Sequence, residues 1–126
     1  MIGNKILNEL YSYHDRDTAL NQLLEMLKFS DSRFINSLSN EVPDLSKLND
    51  DEFHFVVIVS ALVDYCYTEK GIKVPGWINS KKLRFSEPFF YQKRITELEK
   101  SELLLTSPNS FKQKNVYFDL HSLKRV

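Results

Sequence analysis

The sequence predicts an all-α fold, with roughly five to six helices around a buried central helix over residues 50–70 and a short extended element near 115–119. Three observations carry that prediction. Residues 53–67 are apolar at nearly every position, and no turn former interrupts them. The stretches before them repeat apolar residues at helical spacing. Three Gly and four Pro in 126 residues are too few for the many tight turns of an all-β sandwich or barrel. A chain of this length makes one domain, residues 1–126, read as an acidic helical part over 1–48 followed by the core helix and a basic C-terminal part over 49–126.

The first helix is expected over about residues 3–13, where Ile6, Leu7, Leu10 and Tyr11 share one face. After His14 to Asp17, either Asp17 or Thr18 is expected to cap a second helix, with Ala19, Leu20, Leu23, Leu24 and Leu27 as its apolar stripe. A third, over residues 31–38, turns Phe34, Ile35 and Leu38 inward. Residues 39–49, which include Pro43, read as a connection with one turn of helix and as the boundary between the two parts. Asn49 then caps the central helix. Asp50, Asp51 and Glu52 suit its positive end, and Gly71 stands where its C-terminal cap belongs. A helix apolar on all sides is a buried one.

Beyond it, Val74-Pro75-Gly76-Trp77 is a turn, with Trp77 closing the open end of the core. Ser86-Glu87-Pro88 reads as a helix start, with Phe89, Phe90, Ile95 and Leu98 following. Leu103 to Leu105 is too short to classify. Ser107 to Phe111 suggests a short capped helix, Val116-Tyr117-Phe118 an extended segment and residues 120–126 a last helical turn or tail. A three-residue strand needs a partner, either within the molecule, beside Trp77, or on another protein. Val116 and Phe118 point to one side of it and Tyr117 to the other.

Charge is polarised. Net charge is zero, yet residues 1–69 carry five Lys and Arg against twelve Asp and Glu, and residues 70–126 carry twelve against five. The polarity fits either a basic face for an acidic partner or nucleic acid, or two parts that pack together and share the charge internally. With Cys66 as the single cysteine there is no internal disulfide and no thiolate cluster, so a reducing compartment is expected. The first thirteen residues lack the apolar core of a secretory signal, and the longest apolar run, residues 55–59, is far short of the ~20 residues that span a bilayer. A cytoplasmic protein without a membrane segment is the expectation.

Chemistry-bearing patterns are sparse. His14, His54 and His121 lie in separate elements without metal-ligand spacing. His54, near Asp50 and Asp51, is the one conceivable acid–base group, but no nucleophile or oxyanion donor accompanies it. Cys66 in an apolar helix is a small buried hydrophobe. The acidic trio at residues 50–52 is explained by capping, and three glycines make no phosphate-cradling loop. Residues 23–35 have the rhythm of a helix-turn-helix but an acidic setting that repels phosphates, which favours a plain helical hairpin. No catalytic, metal or cofactor residues are assigned.

Basic and aromatic residues interleave in the second part: Lys81, Lys82 and Arg84 before Phe85, Lys93 and Arg94 after Tyr91, and Lys112, Lys114, Lys124 and Arg125 around Tyr117 and Phe118. Such a pattern holds phosphates and stacks on bases, and solvated lysines beside core aromatics produce it equally well. The candidate partner-binding residues are Trp77, Lys81, Lys82, Arg84, Phe111, Lys112, Lys114 and Tyr117.

The run Pro75-x-Trp77, Leu83, Glu87-Pro88-x-Phe90, Ser107-Pro108-x-x-Phe111, Asn115-Val116-x-Phe118 and Leu123-x-Arg125-Val126 resembles a family of small uncharacterised bacterial proteins linked with toxin–antitoxin-like gene pairs. The resemblance covers residues 55–126, including the helix around Ala61 to Tyr65. Relatives commonly have arginines between the Phe and the Asn, where this chain has Lys112-Gln113-Lys114, which weakens any bidentate contact there. The resemblance brings no catalytic residues. The helical core, the lack of a catalytic set and the polarised charge with an aromatic and basic C-terminal part favour a non-enzymatic interaction protein, antitoxin-like or regulatory, whose expected partner is another bacterial protein, from an adjacent gene. The alternative is a nucleic-acid-binding transcriptional regulator using the basic part. A small hydrolase or transferase is the least supported reading, and the composition permits a homo-oligomer.

Overall fold

A computed structural model of the chain describes residues 2–13, 15–29, 32–91 and 95–118. Its described residues form six α-helices and one two-stranded sheet: α1 Lys5–Tyr11, α2 Arg16–Lys28, α3 Ser32–Asn40, α4 Asp50–Lys70, β1 Phe89–Phe90, α5 Glu97–Thr106, α6 Asn109–Lys112 and β2 Val116–Tyr117. The mainly helical fold with a short extended element is therefore the one the sequence predicts. His14, Asp31, Lys93, Arg94, His121, Lys124, Arg125 and the 120–126 tail lie outside the described residues.

Helix α4 is the axis. Asn49 and Glu52 form a reciprocal capping box, and Gly71 ends the helix in the left-handed conformation at φ 70°. Between those signals Val56 to Val59 and Ala61 to Val63 are completely buried, enclosed by α1, α2, α6 and the 3-10 turn at Gly76–Asn79. Each of the valine, isoleucine and leucine side chains among them contributes roughly 1.5–3 kcal/mol of burial. β-branched residues cost a little helix propensity, and burial on every side outweighs it.

The acidic part wraps one side of α4. Asn4 caps α1 by accepting from the Leu7 N–H at 3.0 Å, while its amide donates to the carbonyls of Ser37 and Glu41 at 3.0 Å, so one buried side chain joins the start of α1 to the end of α3. Helix α2 is capped by Asp15, which accepts from the Thr18 N–H at 2.8 Å. This corrects the expectation of Asp17 or Thr18. Asp17 instead accepts a hydrogen bond from the Tyr91 hydroxyl. The Lys70 ammonium donates to the Leu27 and Lys28 carbonyls, tying the end of α4 to the end of α2. One 3-10 turn, Leu45–Lys47, occupies the connection to α4.

The largest correction is at Ser86-Glu87-Pro88, which starts no helix. Phe89–Phe90 is a strand, paired in parallel with Val116–Tyr117 in the register Phe89↔Val116 and Phe90↔Tyr117. Aromatic residues favour a pleated, half-buried surface, and the partner strand makes that preference decisive over the proline signal. The following helix, α5, starts at Glu97 behind a capping box of Thr96 and Glu99, and it includes Leu103 to Leu105. The strand over 116–118 thus docks within the molecule, against β1 rather than Trp77. Its alternation is as expected: Val116 and Phe118 are buried and Tyr117 is half-exposed. Ser107 does not cap α6; its hydroxyl accepts from the Phe118 N–H at 3.0 Å and reaches the Phe118 carbonyl at 3.2 Å.

Candidate functional site

Residues 72–84 leave α4 as an irregular segment pinned at three points. Ile78 and Leu83 are fully buried and anchor it to the core. The Trp77 indole N–H donates to the Leu38 carbonyl at 2.7 Å, fixing the segment to the last turn of α3. From the other side, the Lys114 ammonium donates to the carbonyls of Ile78 and Leu83. Irregular backbone near a core needs partners for its carbonyls, and a lysine supplies two of them here.

Lys114 itself is set by the turn between α6 and β2. Its backbone N–H returns to the Phe111 carbonyl, its carbonyl accepts from the Phe85 N–H at 3.0 Å, and Asn115 follows at φ 63°. Asparagine tolerates that left-handed conformation better than most residues. The Asn115 amide also donates to the Phe85 carbonyl at 3.1 Å, and its backbone carbonyl accepts from the Phe89 N–H at 2.9 Å. One two-residue turn therefore organises both β1 and the end of the 72–84 segment. At 4% exposure, Lys114 is a buried cation. Burial pushes its ammonium below the usual lysine range, and the nearby Asp64 carboxylate partly offsets that.

Two cavities open on the segment. The first, about 500 Å³, is a mostly apolar groove between α3 and residues 72–77, lined by Ile35, Val42, Ile72, Val74, Pro75 and Trp77, with Ser39 and Lys73 also at its surface. The second, about 540 Å³, is mixed in polarity and basic: Lys81, Arg84 and Lys114 line it with Asn79, Ser80, Gln113 and Leu83. None of its lining residues, among those described, is acidic.

No family model, curated protein or solved structure matches this chain. The site therefore stands on its own geometry.

The predicted partner-binding residues divide under that geometry. Trp77 borders the apolar groove, and Lys81, Arg84 and Lys114 converge on the basic cavity although thirty residues of chain separate Arg84 from Lys114. Lys82, exposed on the same segment, does not line that cavity; it lies toward Asp44, whose carboxyl is held low mainly by hydrogen bonds from Ser46 with small help from Lys47 and Lys82. Two of the candidates are corrected. Phe111 is fully buried, with its ring 5.7 Å from Phe118 and 6.1 Å from Tyr65, so it is core. Lys114 presents no exposed cation, since its ammonium is spent partly on carbonyls. Lys112 donates to the Leu105 carbonyl at 2.8 Å, a cation at the negative end of α5. Tyr117 stacks on Phe90 at 5.2 Å, its hydroxyl 3.2 Å from Asn115 Oδ1.

Asn79, Ser80 and Gln113 were not singled out in the sequence, where neutral polar residues beside charges carry no signal of their own. His54, the one conceivable acid–base group, packs against the rings of Phe85 at 4.8 Å and Phe89 at 4.6 Å. Cys66 is buried and its thiol is pushed up to about 11, which removes thiolate at neutral pH. No helix among the described residues is long and apolar enough to cross a membrane.

Proposed function

We propose that the protein is a non-enzymatic interaction protein, an antitoxin-like or regulatory partner of another bacterial protein, and that it receives that partner in the apolar groove beside Trp77. The carrying observation is the groove itself. Ile35, Val42, Ile72, Val74, Pro75 and Trp77 leave an apolar recess of about 500 Å³ on a surface where Val42 is 54% exposed. Its walls are held by the Trp77 to Leu38 hydrogen bond and by the buried Ile78. A recess already held in shape loses little conformational entropy on binding, and anchors in such recesses dominate interface energies. Lys73 at the surface suits a partner segment that carries an apolar anchor next to a carboxylate. The adjacent-gene product is the partner this reading names.

The test is co-purification of the full chain with the product of the adjoining gene, repeated with Val42→Glu. Val42 is exposed, so the substitution leaves the melting transition in place while putting a charge into the recess. Loss of the complex with an unchanged melt supports the reading; a complex of undiminished affinity refutes it. The alternative, a nucleic-acid-binding regulator, draws on the basic cavity and is separated by the experiment that follows.

A further inference from the structure

We propose that the basic cavity formed by Lys81, Arg84 and Lys114 is a binding site for a phosphate group. The reasoning is independent of the apolar groove. Three cations from two distant stretches of chain face one cavity of about 540 Å³, together with the neutral hydrogen-bonding side chains of Asn79, Ser80 and Gln113. Like charges around a cavity with no acidic residue in its lining repel, and an anion between them relieves that repulsion. A phosphate monoester, which carries about −1.5 to −2 at neutral pH, is the kind of anion that a cavity lined by basic and neutral hydrogen-bonding side chains attracts.

The cations play different parts. An ammonium has three N–H donors, and the Ile78 and Leu83 carbonyls account for two on Lys114, fixing where the charge sits at the base of the cavity. In that desolvated position its attraction for an anion is stronger than at the surface. Lys81, between the buried anchors Ile78 and Leu83, and Arg84, immediately after Leu83, are exposed to solvent, and the guanidinium offers the planar fork that pairs with two phosphate oxygens. The 540 Å³ cavity has room for more than a phosphate, so an ester group attached to it is accommodated. No aromatic ring lines it, which leaves a base without a stacking platform there.

The same phosphate chemistry is presented by a small phosphate ester or by a nucleic-acid backbone, and the experiment separates them. The full chain is titrated calorimetrically at low ionic strength with inorganic phosphate, with a 5′-mononucleotide and with a single-stranded oligonucleotide. Three proteins are compared: the unaltered chain, Lys81→Ala/Arg84→Ala, and Lys82→Ala as a control that removes a neighbouring exposed charge outside the cavity. Each charge-assisted hydrogen bond lost from a phosphate weakens binding by about tenfold or more. The double substitution is therefore expected to weaken binding at least about tenfold, with Lys82→Ala changing it less than about twofold and both variants melting as the unaltered chain does. If phosphate and mononucleotide bind with that pattern, the source is a small ester. If the oligonucleotide alone binds, with the same loss in the double variant and steep weakening by salt, the phosphate belongs to nucleic acid. Binding that the double variant retains, that Lys82→Ala weakens as much, or that occurs with none of the three probes overturns the proposal. The Val42→Glu experiment is unaffected by any of these outcomes, because Val42 lines the other cavity.

Discussion

Raising the pH destabilises this protein through Cys66, by an amount the structure sets. The thiol lies near the end of α4 at 2% exposure, and burial, slightly countered by Lys70 and reinforced by Glu69, pushes it from its ordinary 9.0 up to about 11. Unfolding releases it to the ordinary value. Below the lower value both states hold the proton and the full stability is present; between the two only the folded chain holds it, so each step of pH favours the unfolded state. Stability is lost progressively until the folded thiol also ionises. At 1.36 kcal/mol per pH unit, the interval from 9.0 to about 11 amounts to a loss of about 2–3 kcal/mol. Other groups titrate in the same range, Tyr67 among them with its hydroxyl pushed up to about 12. The measurement is therefore a difference: urea unfolding of the unaltered chain and of Cys66→Ala from about pH 8 to about pH 11. Near neutrality the variant is less stable by about 1 kcal/mol because it leaves a small cavity. At the alkaline end it is the more stable protein, and the swing across the range is about 2 kcal/mol. A stability difference that stays constant across the range would show that the thiol is not desolvated as described.

Three further outcomes test the fold. Ile58 is fully buried at the centre of α4, so Ile58→Asp costs several kcal/mol, about 3–5, and a soluble variant with an unchanged melt refutes the central-helix assignment. Ser107→Ala leaves the buried Phe118 N–H without its partner at 3.0 Å and lowers stability by ~1–3 kcal/mol in a denaturant titration. Phe118→Ala empties a core position beside Tyr91 at 4.8 Å and Phe111 at 5.7 Å for ~3–5 kcal/mol, whereas Tyr117→Ala, on the half-exposed side, costs about 1; equal costs would contradict the described orientation of β2.

What was legible in the sequence was local. Asn49 with Glu52, the apolar continuum after it and Gly71 specify α4 within one stretch of chain, and each signal acts on its immediate neighbours. The alternation of Val116, Tyr117 and Phe118 was legible for the same reason. Strand β1 was not, because its partner lies on the far side of α5 and α6 and the proline before it is equally at home in a first helical turn. Propensity decides little for a two-residue strand; the Asn115 carbonyl bonded to the Phe89 N–H decides it, and no window of neighbouring residues contains both.

The basic-aromatic pattern of the second part shows the same limit for function. Along the chain Lys81, Arg84, Lys112 and Lys114 look alike, each a cation near an aromatic residue. In the fold they separate by what their charge meets. Lys112 is turned onto a carbonyl at the end of α5, and Lys114 onto two carbonyls under the 72–84 segment, at the base of the cavity. Lys81 and Arg84, exposed on either side of the buried Leu83, line the same cavity. The polarised charge is thus partly absorbed by backbone dipoles. Among the described residues, the ion pairs of Lys47 with Asp44 and of Lys100 with Glu97 each stay within one part of the chain and do not balance one part against the other. The spaced anchors of the resemblance have a physical account as well: Trp77 reaches Leu38, Leu83 and Phe111 fill the core, Ser107 holds Phe118, and Asn115 makes the left-handed turn. Those spacings therefore specify a scaffold whose output is the placement of the 72–84 segment. A substitution among the anchors should move both cavities together, whereas one at Val42 or Arg84 reaches a single cavity and leaves the other intact.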